Sequence, residues 1–224
     1  MIGPQLRATY YAVTRVPMWI NGRLYKHLRA PRPGTNPTKV QLGPGRAKYL
    51  DGWINVDANF ISAKIDVWAD LRDELPFRDN SVDVFYSHHV VEHLPDSLLS
   101  FHIGEMFRCL KKGGVIRVGG PNAEAAAQKL IEGDRNWFGD FPEKRESIGG
   151  RFANFILCAG DHRTILTFSY IQEIASARGF VDAHRCAPVT ETAYPNLIGK
   201  EVLSREYEDT PEAPHTLIFE ARKP

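Results

Sequence analysis

The chain has 224 residues, with 28 Lys or Arg against 27 Asp or Glu for a formal net charge of +1; 43% of its residues are hydrophobic, 25% charged and 11% aromatic. This composition excludes disordered, collagenous and coiled-coil chains, and the length suffices for one large domain with its own core. Cys109, Cys158 and Cys186 are odd in number and far apart, which argues against a disulfide framework or a thiolate zinc site and for a reducing compartment, and no apolar run approaches the ~18 residues of a membrane span.

Charge is uneven along the chain. No acidic residue precedes Asp51, whereas nine basic residues lie between Arg7 and Lys48, so a basic head joins a body of net charge −8. Tyr10, Tyr11, Trp19 and Tyr25 share the head. Basic and aromatic residues together suit a membrane surface or another anionic partner. The plainer alternative is an arm that packs its rings on the domain and solvates its charges. A transit peptide shares this composition, but no clean apolar stretch of a secretory signal follows the first basic residue. Three prolines and a glycine in Ala30–Pro37 cannot continue a helix or a central strand, so the arm is expected over 1–37 and the main domain over 38–224.

The body alternates strands and helices. Lys39–Leu42 reads as a short strand running into Gly43-Pro44-Gly45. Trp53–Asp57, Ile65–Asp70 and Val82–Ser87 follow as strands two to four. Leu99, Ile103, Met106 and Leu110 fall on one face of a helix from about Asp96 to Lys112, with Gly113-Gly114 as a left-handed cap. Val115–Val118 is the fifth strand. Thr167 or Ser169 caps a helix that stops at Gly179, and Val181–Ala187 and Thr216–Ala221 close the fold. This alternation predicts an α/β fold, a Rossmann-like, mostly parallel sheet with helices on both faces. Such sheets bind ligands beyond the carboxyl ends of their strands.

The glycines after strand one break the dinucleotide fingerprint, because position 48 is Lys and Pro44 lacks an N–H. Only 12 residues separate Gly45 from Asp57, so the crossover is little more than a turn. Asp57 still ends a strand where an acid can hold a ribose diol, although a plain turn residue fits there too.

These strings resemble the class I S-adenosylmethionine-dependent methyltransferases, and most closely the small type 11 family. Val40-Gln41-Leu42-Gly43-Pro44-Gly45 and Gly52-Trp53-Ile54-Asn55-Val56-Asp57 are similar to its opening. Ala69-Asp70-Leu71, Asn80-Ser81-Val82-Asp83, Ser87-His88-His89-Val90-Val91-Glu92-His93 and Leu110-Lys111-Lys112-Gly113-Gly114 match later segments in order. The likeness covers about residues 39–187. Pro44 and Lys112 depart from the family's usual cysteine and proline. The resemblance implies S-adenosylmethionine as cofactor and S-adenosylhomocysteine as product. It also implies that Gly43 and Gly45 pass under the methionine portion, Asp57 holds the ribose, Asp70 and Leu71 flank the adenine, and His88 and His89 line the floor beside the sulfonium.

His89, His88 and His162, in that order, are the candidate general bases. His89-Val90-Val91-Glu92-His93 also spells an inverted zinc-peptidase motif, but Pro95 leaves hardly a helix for it to occupy. Glu92 and His93 are expected to orient the loop, and no metal is expected. A lid is expected over 134–165, with Asn122, Arg151, His162 and Arg163 as acceptor-binding candidates. Asn122 reads equally well as a turn residue, and Arg163 as a tie holding the lid down. The family's adenine-N6 methylators carry an Asn/Asp-Pro-Pro-aromatic segment that is missing here, and a nucleic-acid partner is disfavoured. The expected reaction is O-methylation of a sugar, glycan-linked or other small-molecule hydroxyl, in the cytoplasm, with the arm as a peripheral membrane or partner contact. The alternative is a cofactor-binding scaffold without chemistry.

Overall fold

The computed structural model describes residues 4–34, 37–46, 48–61, 63–208 and 210–224; Thr35 and Asn36, part of the expected linker, lie outside them. Among the described residues, seven strands form one sheet: β1 (Lys39–Leu42), β2 (Ile54–Asp57), β3 (Val67–Trp68), β4 (Val82–His88), β5 (Leu110–Pro121), β6 (Val181–Cys186) and β7 (Thr216–Arg222). Their order is β3-β2-β1-β4-β5-β7-β6, and β7 runs antiparallel to its neighbours β5 and β6 while the other pairs are parallel. The helices are α1 (Pro4–Leu28), α2 (Asp96–Cys109), α3 (Ala123–Glu132), α4 (Ile148–Leu157), α5 (Phe168–Ala177) and the short α6 (Lys200–Leu203).

Alternation along β4 divides the core between the two faces. Phe85 joins Leu99, Ile103 and Met106 of α2 and Ile171 and Ile174 of α5 on one face. Val84 and Tyr86 meet Leu50, Trp53, Ile198 and Val202 on the other. Each such side chain, fully buried, contributes about 1.5–3 kcal/mol. The second face is covered thinly, by α6 and irregular chain. As the 12-residue spacing predicts, no helix among the described residues links β1 to β2.

Two sequence expectations are corrected. Residues 4–28 form one long helix, where no element was assigned. Its Pro17 and its all-round apolar character hide the period. Met18 is fully buried, Asn21 donates to the Trp68 carbonyl at 2.7 Å, and Tyr25 meets Phe77 edge-on. This side packs as the plainer reading of the arm requires. The opposite side leaves Val13, Val16, Ile20 and Leu24 exposed. Second, α2 ends at Cys109 and β5 begins at once, so Gly113 bends a strand instead of capping a helix. Its φ of +79° suits glycine, and its N–H donates to the Lys223 carbonyl at 2.9 Å, which continues the pairing at the end of β7. The 134–165 segment, expected as a lid, has structure of its own. It contains α4, which packs on α3 through Trp137, Phe138 and Ile156.

Candidate active site

The carboxyl ends of β1, β2 and β4 meet where strand order reverses, between β1 and β4. The Gly43 N–H donates to the Val56 carbonyl at 2.8 Å, and its φ is +67°. A Cβ there would lie 2.4 Å from Val90 Cγ2, so only glycine lets the 88–93 segment lie across the end of β1. Gly45, at φ +58°, donates its N–H to Asp57 Oδ2 at 3.1 Å, and a Cβ on it would meet nothing within 4 Å. The Asn59 N–H donates to Asp57 Oδ1 at 2.8 Å. Burial raises the Asp57 carboxyl, and these backbone hydrogen bonds only partly oppose it.

His88 ends β4, nearly buried. Lys48 donates to its Nδ1 at 3.2 Å, and its Nε2 has no hydrogen-bond partner. Burial first, and then the charges of His89, Lys48 and Arg117, pull its pKa down to about 2. So low a pKa makes the His88 imidazole a weak base, and its unpartnered Nε2 suits a hydrogen-bond donor. His89 follows at φ +55°, an uncommon conformation for a non-glycine residue that turns its ring out of the strand. Its N–H donates to the Gly119 carbonyl, its Nδ1 meets Glu92 Oε1 at 2.9 Å, and its Nε2 lies 3.4 Å from the Thr216 hydroxyl. Glu92 is 1% exposed, and its Oε2 has no partner. Burial works to raise the Glu92 carboxyl, but the His89 hydrogen bond and the charges of His89 and His93 outweigh it and hold it low.

Val91–His93 is a single 3-10 turn and Leu94 is extended, so the zinc-peptidase reading lacks its helix. The carbonyl of Glu92 instead accepts the N–H groups of Arg163 and Thr164. That ties the loop to the far end of the lid and brings His162 beside His93, with ring centroids 5.1 Å apart. Glu92, His93 and His162 each present one ligand atom within 4.8 Å of the others.

Most of the remaining predicted residues have partners within the fold. The oxygen of Asn122 caps α3 on the Ala125 N–H, and its amide donates to the Pro214 carbonyl, so both ends of the side chain are used. Arg151 is held within the lid by the Phe138 carbonyl and Asp140. Arg163 is exposed. Asp70 is 6% exposed and clasped by the Arg72 guanidinium at 2.6–3.1 Å, and Leu71 is buried, its carbonyl accepting from His102. Sequence reasoning missed Lys48, which had no signal beyond its place after the glycines. It also missed Gly119 and Gly120, whose Cβ atoms would come within 2.8 Å of His88 Cδ2 and 3.4 Å of Glu92 Oε2. A glycine pair at a strand end was the available signal.

The orphaned His88 Nε2, the open space over Gly45 and the nearby Asp57 carboxylate suit a polar, nucleoside-bearing cofactor. Together, sheet order and site define a class I methyltransferase fold. Residues 40–118 match the model of the methyltransferase domain family. Residues 40–118 therefore carry a methyltransferase domain of the S-adenosylmethionine-dependent class. Among solved structures, it is similar to a SAM-dependent methyltransferase from Archaeoglobus fulgidus, with 19% identity over 96% of this chain and 100% of that one and a TM-score of 0.53. It is also similar to a complex of the Haloferax volcanii Trm112 methyltransferase activator with a methyltransferase, with 15% identity over 95% and 93% and a TM-score of 0.50. A third likeness is to phosphoethanolamine N-methyltransferase 2 from Haemonchus contortus in complex with S-adenosyl-L-methionine, with 15% identity over 93% of this chain but 57% of that one and a TM-score of 0.51. At these identities the likeness establishes the fold. No curated protein matches the chain. Among the described residues, no helix is long and apolar enough to cross a membrane.

Proposed function

We propose that the chain methylates a hydroxyl of a sugar, a glycan-linked group or another small acceptor, with His89 as the base. The cofactor, when bound, supplies a methyl group on positively charged sulfur and leaves as S-adenosylhomocysteine. Gly45 would leave it room, Gly43 would let the 88–93 segment lie close beside it, Asp57 would accept its ribose hydroxyls, and Leu71 would flank its adenine. Asp70 fixes that loop by holding Arg72. His88 donates from Nε2 to the cofactor side. The hydrogen bond between His89 Nδ1 and Glu92 Oε1, 2.9 Å long, carries the reading. It orients a histidine as a general base beside the cofactor floor, and a hydroxyl needs such a base whereas a free amine does not. His162, with Nδ1 taken by the Ile156 carbonyl at 2.9 Å, stands behind it at the lid. The remaining machinery is positioning and exclusion of water by the 134–165 segment.

The test is methyl transfer from labelled cofactor to a panel of sugars, hydroxylated small molecules and amines, phosphoethanolamine among them. Alkali-stable methyl ethers are expected; labelling confined to amines overturns the hydroxyl assignment. Asp57→Ala should abolish cofactor binding in a calorimetric titration, and unchanged binding would misplace the site.

The arm supports a second contact, with an anionic membrane surface. Val13, Val16, Ile20 and Leu24 form an exposed row on α1, flanked by exposed Arg15 and Arg23. Apolar rows with cationic edges lie in lipid interfaces. The chain should sediment with vesicles containing phosphatidylserine and not with neutral ones, and Ile20→Glu with Leu24→Glu should release it.

A further inference from the structure

We infer that Glu92, His93 and His162 form a binding site for one divalent transition-metal ion at the acceptor side of the cofactor pocket. The use of the ion rests on the hydroxyl reading above; its binding does not.

Four observations carry the site. The three residues present ligand atoms within 4.8 Å of one another. Zinc-type bonds of about 2.0–2.2 Å draw such atoms to roughly 3.4 Å in tetrahedral geometry, so closing the site needs only small side-chain movements. Glu92 Oε2 is buried without a hydrogen-bond partner, although Oε1 is paired with His89. A buried carboxylate oxygen with no partner is costly, and a cation is the partner that most readily satisfies it. Both imidazoles are also held in the ligating tautomer. The Asp161 carbonyl lies 3.0 Å from His93 Nδ1, and the Ile156 carbonyl 2.9 Å from His162 Nδ1. A carbonyl only accepts, so each Nδ1 carries the proton and each Nε2 keeps its lone pair. Metal-binding histidines are oriented by their outer partners in this way. Finally, Gly120 puts no side chain against Oε2: a Cβ there would stand 3.4 Å from that oxygen and 2.5 Å from Leu166 Cδ1, so only glycine lets Glu92 and Leu166 keep these places.

Two neutral imidazoles and one carboxylate select zinc, cobalt, manganese or iron(II) over magnesium and calcium, which prefer oxygen donors. Three protein ligands leave coordination positions open, the pattern of a catalytic site. His93 is exposed and His162 half-buried, so the open side faces the lid. A divalent ion there favours loss of the acceptor hydroxyl's proton. His89, bonded to the other oxygen of Glu92, is in place to take that proton and release it to solvent.

The protein, stripped with chelator and dialysed, should bind one Co²⁺ per chain with a visible ligand-field spectrum. Zn²⁺ should displace it, and millimolar Mg²⁺ should not. His93→Gln and His162→Gln should each weaken binding at least tenfold and bleach the spectrum. Both should still bind S-adenosylhomocysteine by calorimetry, which shows that they fold. The surface variant His184→Gln should retain the site. Absence of the spectrum, or equal Co²⁺ uptake by wild type and both variants, overturns the inference. Methyl-ether formation at full rate by metal-free enzyme overturns the role of the ion while leaving the hydroxyl reading intact. Stoichiometric Co²⁺ binding without any methyl-ether product does the reverse.

Discussion

Two buried charge clusters sit on the two sides of β5, and they are built on opposite principles. Arg117 is wholly buried with Glu206 and Glu220. Its Nε and Nη2 donate to Glu206 at 2.7 and 2.6 Å, and its Nη1 donates to Glu220 and to the Glu191 carbonyl. The Val189 and Ala193 N–H groups and the Thr192 hydroxyl complete the two carboxylates. This cluster has no place for a ligand. Glu92 is as deeply buried, yet one of its oxygens is left open and its neighbours are histidines with free lone pairs. Burial alone does not mark a functional group. Incomplete pairing does, because a fold tolerates an unsatisfied buried carboxylate only where a ligand or a reaction uses it.

The comparison is broken most forcefully at Arg117. Arg117→Met leaves two buried carboxylates without their cation and should cost about 3–5 kcal/mol in urea denaturation. Replacing all three charges by Met and Leu together should recover most of that loss. If the single variant is as stable as wild type, the cluster is not structural. Glu92→Gln should do the opposite. The amide keeps the shape and can still meet His89, so stability should change by less than about 1 kcal/mol, the size of one hydrogen bond. Methyl transfer should fall by about 10²-fold in kcat, the usual contribution of an oriented general base.

These two sites also separate what was legible in the sequence from what was not. Gly43, Gly45, Asp57, His88 and His89 were found because each ends a strand, and a parallel sheet gathers strand ends on one edge. The partners that decide their chemistry come from elsewhere in the chain. Lys48 reaches His88 from the preceding loop, His162 meets His93 from the lid, and Arg117 finds Glu206 and Glu220 across the sheet. Spacing cannot report contacts between residues so far apart in sequence. The arm was read correctly as basic and aromatic, but its helix was missed, because an interior proline and apolar residues on every side erase the 3.6-residue period. Asp70 is placed at the adenine by the family resemblance and Arg151 at the acceptor by the basic content of the lid, and each already has an internal partner at hydrogen-bond distance.

His102 is an intermediate case. It is fully buried, and Nδ1 donates to the Leu71 carbonyl at 3.0 Å while Nε2 has no partner. Burial pulls its pKa down from 6.5 to about 4, against weaker opposition from that carbonyl and Glu105. The unfolded chain therefore takes up a proton near pH 6.5 that the native protein refuses until about pH 4. The stability this group contributes is present above pH 6.5 and lost as pH falls toward 4. Between pH 7 and pH 5 the loss should be about 2 kcal/mol. Urea midpoints measured at both values test it, with His102→Asn expected to flatten the difference. An equal slope in the variant would assign the acid sensitivity to other groups.

The smallest effect falls on Asn122, a residue assigned to the acceptor by its position and to the scaffold by its contacts. Its oxygen caps α3, its amide holds the Pro214 carbonyl, and it is 4% exposed. Asn122→Ala removes a helix cap and should cost about 1 kcal/mol, seen as a lower thermal midpoint. Asn122→Asp, which can still cap, should restore much of that loss, because an anion at a helix N-terminus is favourable. If the acceptor's KM rises in the alanine variant while the melting temperature holds, Asn122 belongs with Glu92 among the incompletely used groups. If stability falls and KM holds, it belongs with Arg117, and position at a strand end is insufficient evidence of function unless a polar atom is left free.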